Sequence, residues 1–257
     1  MRLMTGVVVF LMFFPPTAAS ETTRILVRAV SRDAKIVGTN VGGARITLRE
    51  AATGRILASG LQQGETGDTQ KIMKEPRVRG AQIYETPGAA HYLATIDLAE
   101  PTVVEIEAEG PLDTPQATMK SSKTMLLIPG VDILGEGVLL ELHGFRVAIL
   151  EPEAKAVRPG EKLAVRASVT MACGCVTEPG GTWNSDHFDL RAQLLDFTGR
   201  VVAEGKLEYA GEINIHETVL AVPAGAAGSM TLRVLASDGR NANFGLATLP
   251  LVTDSSR

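Results

Sequence analysis

The sequence predicts an all-β chain built as two β-sandwich domains in tandem. Three observations lead there. From Ile25 onward, short runs of alternating apolar and polar residues are punctuated by Gly, Pro, Asp and Asn, the pattern of half-buried strands joined by turns. Long stretches of helical periodicity are missing. At 257 residues the chain has room for two domains of ordinary size, each able to bury a core without a disulfide framework, which two cysteines do not constitute.

Ahead of the first strand stand Arg2, an apolar run from Val7 to Phe14, then Pro15, Pro16 and small residues. This order predicts a secretory signal peptide over residues 1–20. The run is far shorter than the roughly 20 apolar residues of a spanning helix, and no Cys follows it to carry a lipid. The expectation is therefore an exported chain, periplasmic or extracellular, without direct membrane insertion. Of the 25 Lys and Arg residues one, Arg2, lies in the leader; the remainder sets 24 basic against 29 acidic side chains, a net charge of −5. Both signs are scattered. No basic patch offers itself to phosphate, so nucleic acid is excluded as a partner.

The first domain is expected over residues 21–146. Ala44, Ile46 and Leu48 fall on one face of a strand and Arg45, Thr47 and Arg49 on the other. Thr53-Gly54 makes the turn, and Arg55 to Ser59 returns as the partner strand. Val104 and Ile106 point inward from Thr102–Ala108, with Glu105 and Glu107 outward and solvated. Between these strands, Gln62 to Gly80 is polar, rich in Gly, and longer than most loops in a compact domain, hence functional or mobile. Its Gly64 and Gly67 lack the strand, helix and Lys-Ser/Thr of a phosphate cradle, and Glu65 and Asp68 fall short of the six to eight oxygens that Ca²⁺ takes. Leu112 to Gly137 is the least regular segment, with Val138–Leu142 as the domain's last strand. The words Val41-Gly-Gly-Ala-Arg-Ile-Thr-Leu48, Thr53-Gly54 and Leu57-Ala-Ser-Gly60 resemble the prealbumin-like module called carboxypeptidase-regulatory-like. That resemblance implies a β-sandwich with an adhesive or accessory role.

The second domain is expected over residues 147–257. Leu163, Val165, Ala167 and Val169 share a strand face; Phe188, Leu190, Ala192 and Leu194 share another. Met230, Leu232, Val234 and Ala236 form a third inward set, and Leu246–Val252 reads as the last strand. About seven strands in roughly a hundred residues fit an Ig-like sandwich. Pro159-Gly160-Glu161 followed by Leu163-x-Val165-x-Ala167 resembles the opening of bacterial Ig-like modules.

The chemistry inventory is short. There is no Gly-x-Ser-x-Gly elbow, and His91, His143, His187 and His216 are dispersed without zinc-ligand spacing. The chain is expected not to be an enzyme. Its two cysteines and its single tryptophan, however, share one stretch, Met171-Ala-Cys-Gly-Cys-Val-Thr-Glu-Pro-Gly-Gly-Thr-Trp183. If the preceding strand continues, Met171, Cys173 and Cys175 face the core as small hydrophobes. A strand from 162 to 175 would far exceed the usual five or six residues, and Gly174 marks a bulge or an end. If the strand ends before Cys173, the cysteines belong to the loop and its function.

Two further readings stay open there. In an oxidising compartment the thiols form a disulfide; their Cα atoms would be about 6.6 Å apart in extended chain, and so small a loop contributes only roughly 1.5 kcal/mol. Alternatively, Cys173, Cys175, Met171 and His187 hold a soft metal. A Cys-x-Cys on an Ig-like fold resembles the copper-delivery assembly factor of cytochrome oxidase, and copper is the one cofactor with a candidate site. Trp183, Asp186 and Phe188 complete a loop that either caps the core or forms an interaction surface. The function expected is an exported accessory protein engaging another exported protein or a membrane complex through its loops. The alternative is a periplasmic copper carrier. Oligomeric state is not written in the sequence.

Overall fold

A computed structural model describes residues 19–153 and 155–254. The expected leader, residues 1–20, therefore lies almost wholly outside the described residues. Among these residues the architecture is all-β, and no helix is long and apolar enough to cross a membrane.

Seven strands build the first sandwich: β1 (Glu21–Ser31), β2 (Ala44–Glu50), β3 (Ile56–Gln62), β4 (Tyr92–Leu98), β5 (Thr102–Gly110), β6 (Met119–Leu127) and β7 (Ile133–Leu142). One sheet runs β4-β1-β7 and the other β3-β2-β5-β6. β1 is antiparallel to β4 but parallel to β7. The core between the sheets takes Ile25 and Val27 from β1, Ile46 and Leu48 from β2, Ile96 from β4, Ile106 from β5 and Leu140 from β7. These positions obey the two-residue period of a strand with one face inward. The irregular stretch 112–137 supplies β6 and the start of β7, joined to the rest by a 3₁₀ turn at Pro115–Ala117.

Alternation fails on the second half of β1, where every residue from Val27 to Ser31 is buried. The cause is the excursion of residues 63–91, which folds back over the outer face of that sheet. Its Ile72, Tyr84, Ala89 and Ala90 cover Val30 and Ile36 in a small separate cluster. Gln62, fully buried at the root of the excursion, ties it down: Oε1 accepts from the Ala29 amide at 2.6 Å, and Nε2 donates to the carbonyls of Ala29 and Val37 at 2.9 and 2.8 Å. A buried amide satisfied on both ends fixes chain position strongly.

The chain passes to the second sandwich at His143-Gly144. Phe145 and Arg146, expected in the first domain, open β8 (Phe145–Glu151), whose partner is β10. The remaining strands are β9 (Ala156–Val157), β10 (Lys162–Met171), β11 (Asp189–Leu195), β12 (Val201–Lys206), β13 (Glu208–Tyr209), β14 (Ile215–Ala221), β15 (Ser229–Asp238) and β16 (Asn243–Thr253). They form the sheets β13-β14-β10-β8 and β12-β11-β15-β16-β9. Leu163, Val165, Ala167 and Val169 face Leu190, Ala192, Leu194, Leu232 and Val234 across the core. Ala34, from the first domain, is buried in this same core, and Met73 of the excursion packs against it.

Candidate functional site at the domain junction

β10 ends at Met171, yet both cysteines are buried, Cys173 completely and Cys175 with 7% of its surface exposed. The turn explains how. The Gly174 amide donates to the Met171 carbonyl at 2.8 Å, and the Met171 amide donates to the Cys175 carbonyl at 3.0 Å. Gly174 sits at φ +78°. This is a three-residue hairpin, a turn closed by a left-handed residue in a bulge, the position for which glycine is suited. Burial therefore did not require the strand to run through Cys175, as the sequence suggested it would. The first domain supplies the cover: Asn40 Nδ2 donates to the Cys173 carbonyl at 3.1 Å, and a Cβ on Gly174 would come within 2.7 Å of Val41 Cγ1.

The two thiols are free and lie against each other. Burial pushes both sulfurs toward the neutral form, but the Cys175 thiol and the Lys35 backbone amide donate to Cys173 and hold its pKa below the ordinary thiol value. Cys175, the donor of that pair, is driven up by the hydrogen bond to Cys173 and by burial. The Lys35 ammonium lies near both and favours negative charge on sulfur. Met171 is buried in the same cluster.

The loop that follows is likewise turned inward. Thr177 is fully buried, its hydroxyl donating to the Val169 carbonyl at 2.7 Å. Trp183 keeps 8% of its surface exposed and donates from Nε1 to the Asp33 carbonyl at 2.9 Å. Phe188 packs against Phe145 with the rings tilted by 58° and their centroids 4.7 Å apart. Trp183 and Phe188, read as candidate interaction residues, are thus buried in the second core, Trp183 at the seam where it bonds Asp33 of the first domain and Phe188 against Phe145 of its own sandwich. Asp186 and His187 are exposed on a 3₁₀ turn capped by Asn184. His187 does not join the cysteines: among the described residues no three His, Cys, Asp or Glu side chains converge as ion ligands.

Hydrogen bonds extend this seam. Asn241 Nδ2 donates to Asp33 Oδ2 at 2.9 Å and to Asp238 Oδ2 at 3.0 Å, and Asn243 Nδ2 donates to the Arg32 carbonyl at 3.1 Å. Partial burial, with Asp238 nearby, raises the pKa of the Asp33 carboxyl. On the other side Arg146 reaches Asp113 at 2.8 Å and Thr114 at 3.0 Å. None of these partners was singled out from the sequence. Apart from Asn241 and Asp238, which share one turn, they stand 32 to 211 residues apart, and no local period encodes such a meeting.

Two hollows flank the seam. One, about 370 Å³, is polar and set among Arg32, Glu75, Arg77, Tyr84, Glu141 and Asn241. Burial raises the pKa of the Tyr84 hydroxyl, which hydrogen-bonds Arg77. The other, about 530 Å³, is apolar, with Met119 of the first sandwich opposite Leu235, Phe244 and Leu246 of the second and Asp189 and Arg191 at its edge.

No protein-family model matches the chain, and no curated protein does. Among solved structures, a DUF3823 family protein from Bacteroides ovatus is similar over 90% of this chain and 98% of its own, at 11% identity and a TM-score of 0.34. The fibronectin(III)-like modules of Clostridium thermocellum CbhA are similar over 91% of this chain and 94% of theirs, at 10% identity and a TM-score of 0.28. At such scores these are likenesses only, and the fold rests on the strand pairings described above.

Proposed function

We propose that the protein is an exported, non-enzymatic accessory module that engages another exported protein through the apolar groove between its two sandwiches. The groove itself carries the reading. Phe244, Leu246 and Met119 are 56%, 44% and 42% exposed, and they converge on one hollow. Contiguous apolar surface with a polar rim marks interaction sites on soluble proteins, and aromatic anchors supply much of the binding energy at such sites. The occupant that fits is a protein segment with a bulky apolar side chain for the hollow and a polar group for the Asp189–Arg191 pair, whose Nε and Oδ2 are 2.9 Å apart. The amino-terminal leader pattern supports export, and the net negative charge disfavours nucleic acid.

The test compares capture from the exported fraction by the wild type and by Phe244→Asp. Phe244 is exposed, so the substitution is expected to keep the fold, with stability changed by less than about 0.5 kcal/mol. Loss of the partner recovered by the wild type is the expected result. Equal recovery by both, or no recovery by the wild type, overturns the reading.

A further inference from the structure

We propose that the hollow between the excursion and the edge strand β6 binds a small organic acid, a monocarboxylate with an apolar body. The site is separate from the apolar groove and does not depend on what that groove takes.

The hollow measures about 580 Å³, inside the range of small-molecule sites. Val30 of β1 and Leu139 of β7 line it from the sheet, and Val78 and Ile83 line it from the excursion. Val78 is 71% exposed. These four side chains give an apolar body something to pack on.

The charge comes from two other elements. On β6, Lys123 pairs with Ile106 and Ser121 with Ala108, and both partners are buried in the first core. Lys123 and Ser121 therefore hold inward positions of an edge strand, yet they line the hollow. Among the described residues nothing pairs with the Lys123 ammonium. Arg77, across the hollow on the excursion, is bonded to the Tyr84 hydroxyl and has no carboxylate in contact.

The carboxylates that line the hollow are already engaged. Glu136 accepts from the amides of Ile83 and Tyr84, each at 3.1 Å, and Glu141 accepts from Arg32 Nη1 at 3.0 Å. Behind them Arg28 is 3% exposed, on the same strand face as Val30. Its Nη1 donates to the carbonyls of Gly135 and Glu136, both at 2.6 Å, and its Nε has no partner. This wall of the first sandwich thus holds unneutralised positive charge beside apolar surface. A cation is repelled there, a neutral apolar molecule leaves Lys123 and Arg77 unused, and a phosphate gains nothing from Val78 and Leu139. A carboxylate on an apolar body uses both halves of the lining.

The full chain is titrated with octanoate, followed by calorimetry and by amide shifts in NMR. One saturable site per chain is expected, with shifts at Ile83, Tyr84 and Leu139. Octanamide and octylammonium, which carry the same tail, should bind at least about tenfold more weakly. Lys123→Ala and Arg77→Ala, both at exposed positions, should keep the fold and each lower affinity by about tenfold, the size of one charged hydrogen bond. Phe244→Asp should leave binding unchanged. The proposal is overturned if octanoate does not saturate a site, or if octanamide binds as well. An edge lysine that serves only to deter strand pairing predicts that Lys123→Ala leaves octanoate binding unaltered, and that result also overturns it. Dependence on Phe244 would move the ligand to the groove and sink the assignment. An acetylated pentapeptide ending in leucine is the last arm: if it binds about tenfold more tightly than octanoate, the hollow takes a chain end and the small-molecule assignment falls.

Discussion

The excursion between β3 and β4 and the loop between β10 and β11 look alike in sequence, both polar, rich in Gly and long, but they bury different things. The excursion assembles a cluster of its own, Ile72, Tyr84, Ala89 and Ala90 over Val30 and Ile36, and only Met73 reaches the second core. The loop after β10 has no separate cluster. Cys173, Cys175, Trp183 and Phe188 are all members of the second core, and that core also contains Ala34 of the first domain. One loop is an addition to a sheet face; the other is a wedge between two domains. A polar, glycine-rich composition reports the path of the backbone and says little about where the few apolar side chains go.

The strongest way to test that difference is to truncate the wedge. Trp183→Ala empties a site that is 8% exposed and removes the only side-chain donor to the Asp33 carbonyl among the hydrogen bonds of the described residues. Unfolding by denaturant should show a loss of about 3–5 kcal/mol, the range for a buried aromatic cut to alanine. It should also loosen the seam, seen as faster amide exchange at Ala34 and Asn241. A loss below 1 kcal/mol, on the order of a surface change, would mean that the loop only rests on the second core. Gly174→Ala should follow. It forces a Cβ into the left-handed region and to within 2.7 Å of Val41, and the two effects together predict about 2–4 kcal/mol.

The contrast also shows what the sequence could carry. Strand faces were legible because burial on one side imposes a period of two, and Ala44, Ile46, Leu48, Leu163, Val165, Ala167 and Val169 are all buried where that period puts them. The cysteines were harder. Reading their burial as continuation of β10 assumed that only the strand's own core could cover them; in the structure the strand stops at Met171 and Asn40 and Val41 of the first domain provide the cover. His187 follows the same logic in reverse. Twelve residues from Cys175 it looked close enough to complete a metal site, but the chain between them turns inward at Trp183 and leaves His187 on the outside. Long-range packing decided both outcomes, and it has no local signature. Val30 shows the effect within one strand: the excursion covers it, so the alternation that elsewhere marks an exposed face is lost.

The smallest effect on global stability is expected from the excursion itself. Ile72 is 1% exposed and is the largest fully buried aliphatic side chain the excursion contributes to its cluster. Truncation to alanine should cost about 2 kcal/mol at the low end of the range for such residues. Because that cluster is separate from both sandwich cores, the cost should appear as local opening. Amide exchange over residues 63–91 should rise by about thirtyfold, the factor equivalent to 2 kcal/mol, while the denaturation midpoint of the whole chain stays within error of the wild type. Met73, in contact with both clusters, is the channel through which this separation would fail. If Ile72→Ala lowers the global midpoint as far as Trp183→Ala does, the excursion is a second wedge, and the difference between the two loops disappears.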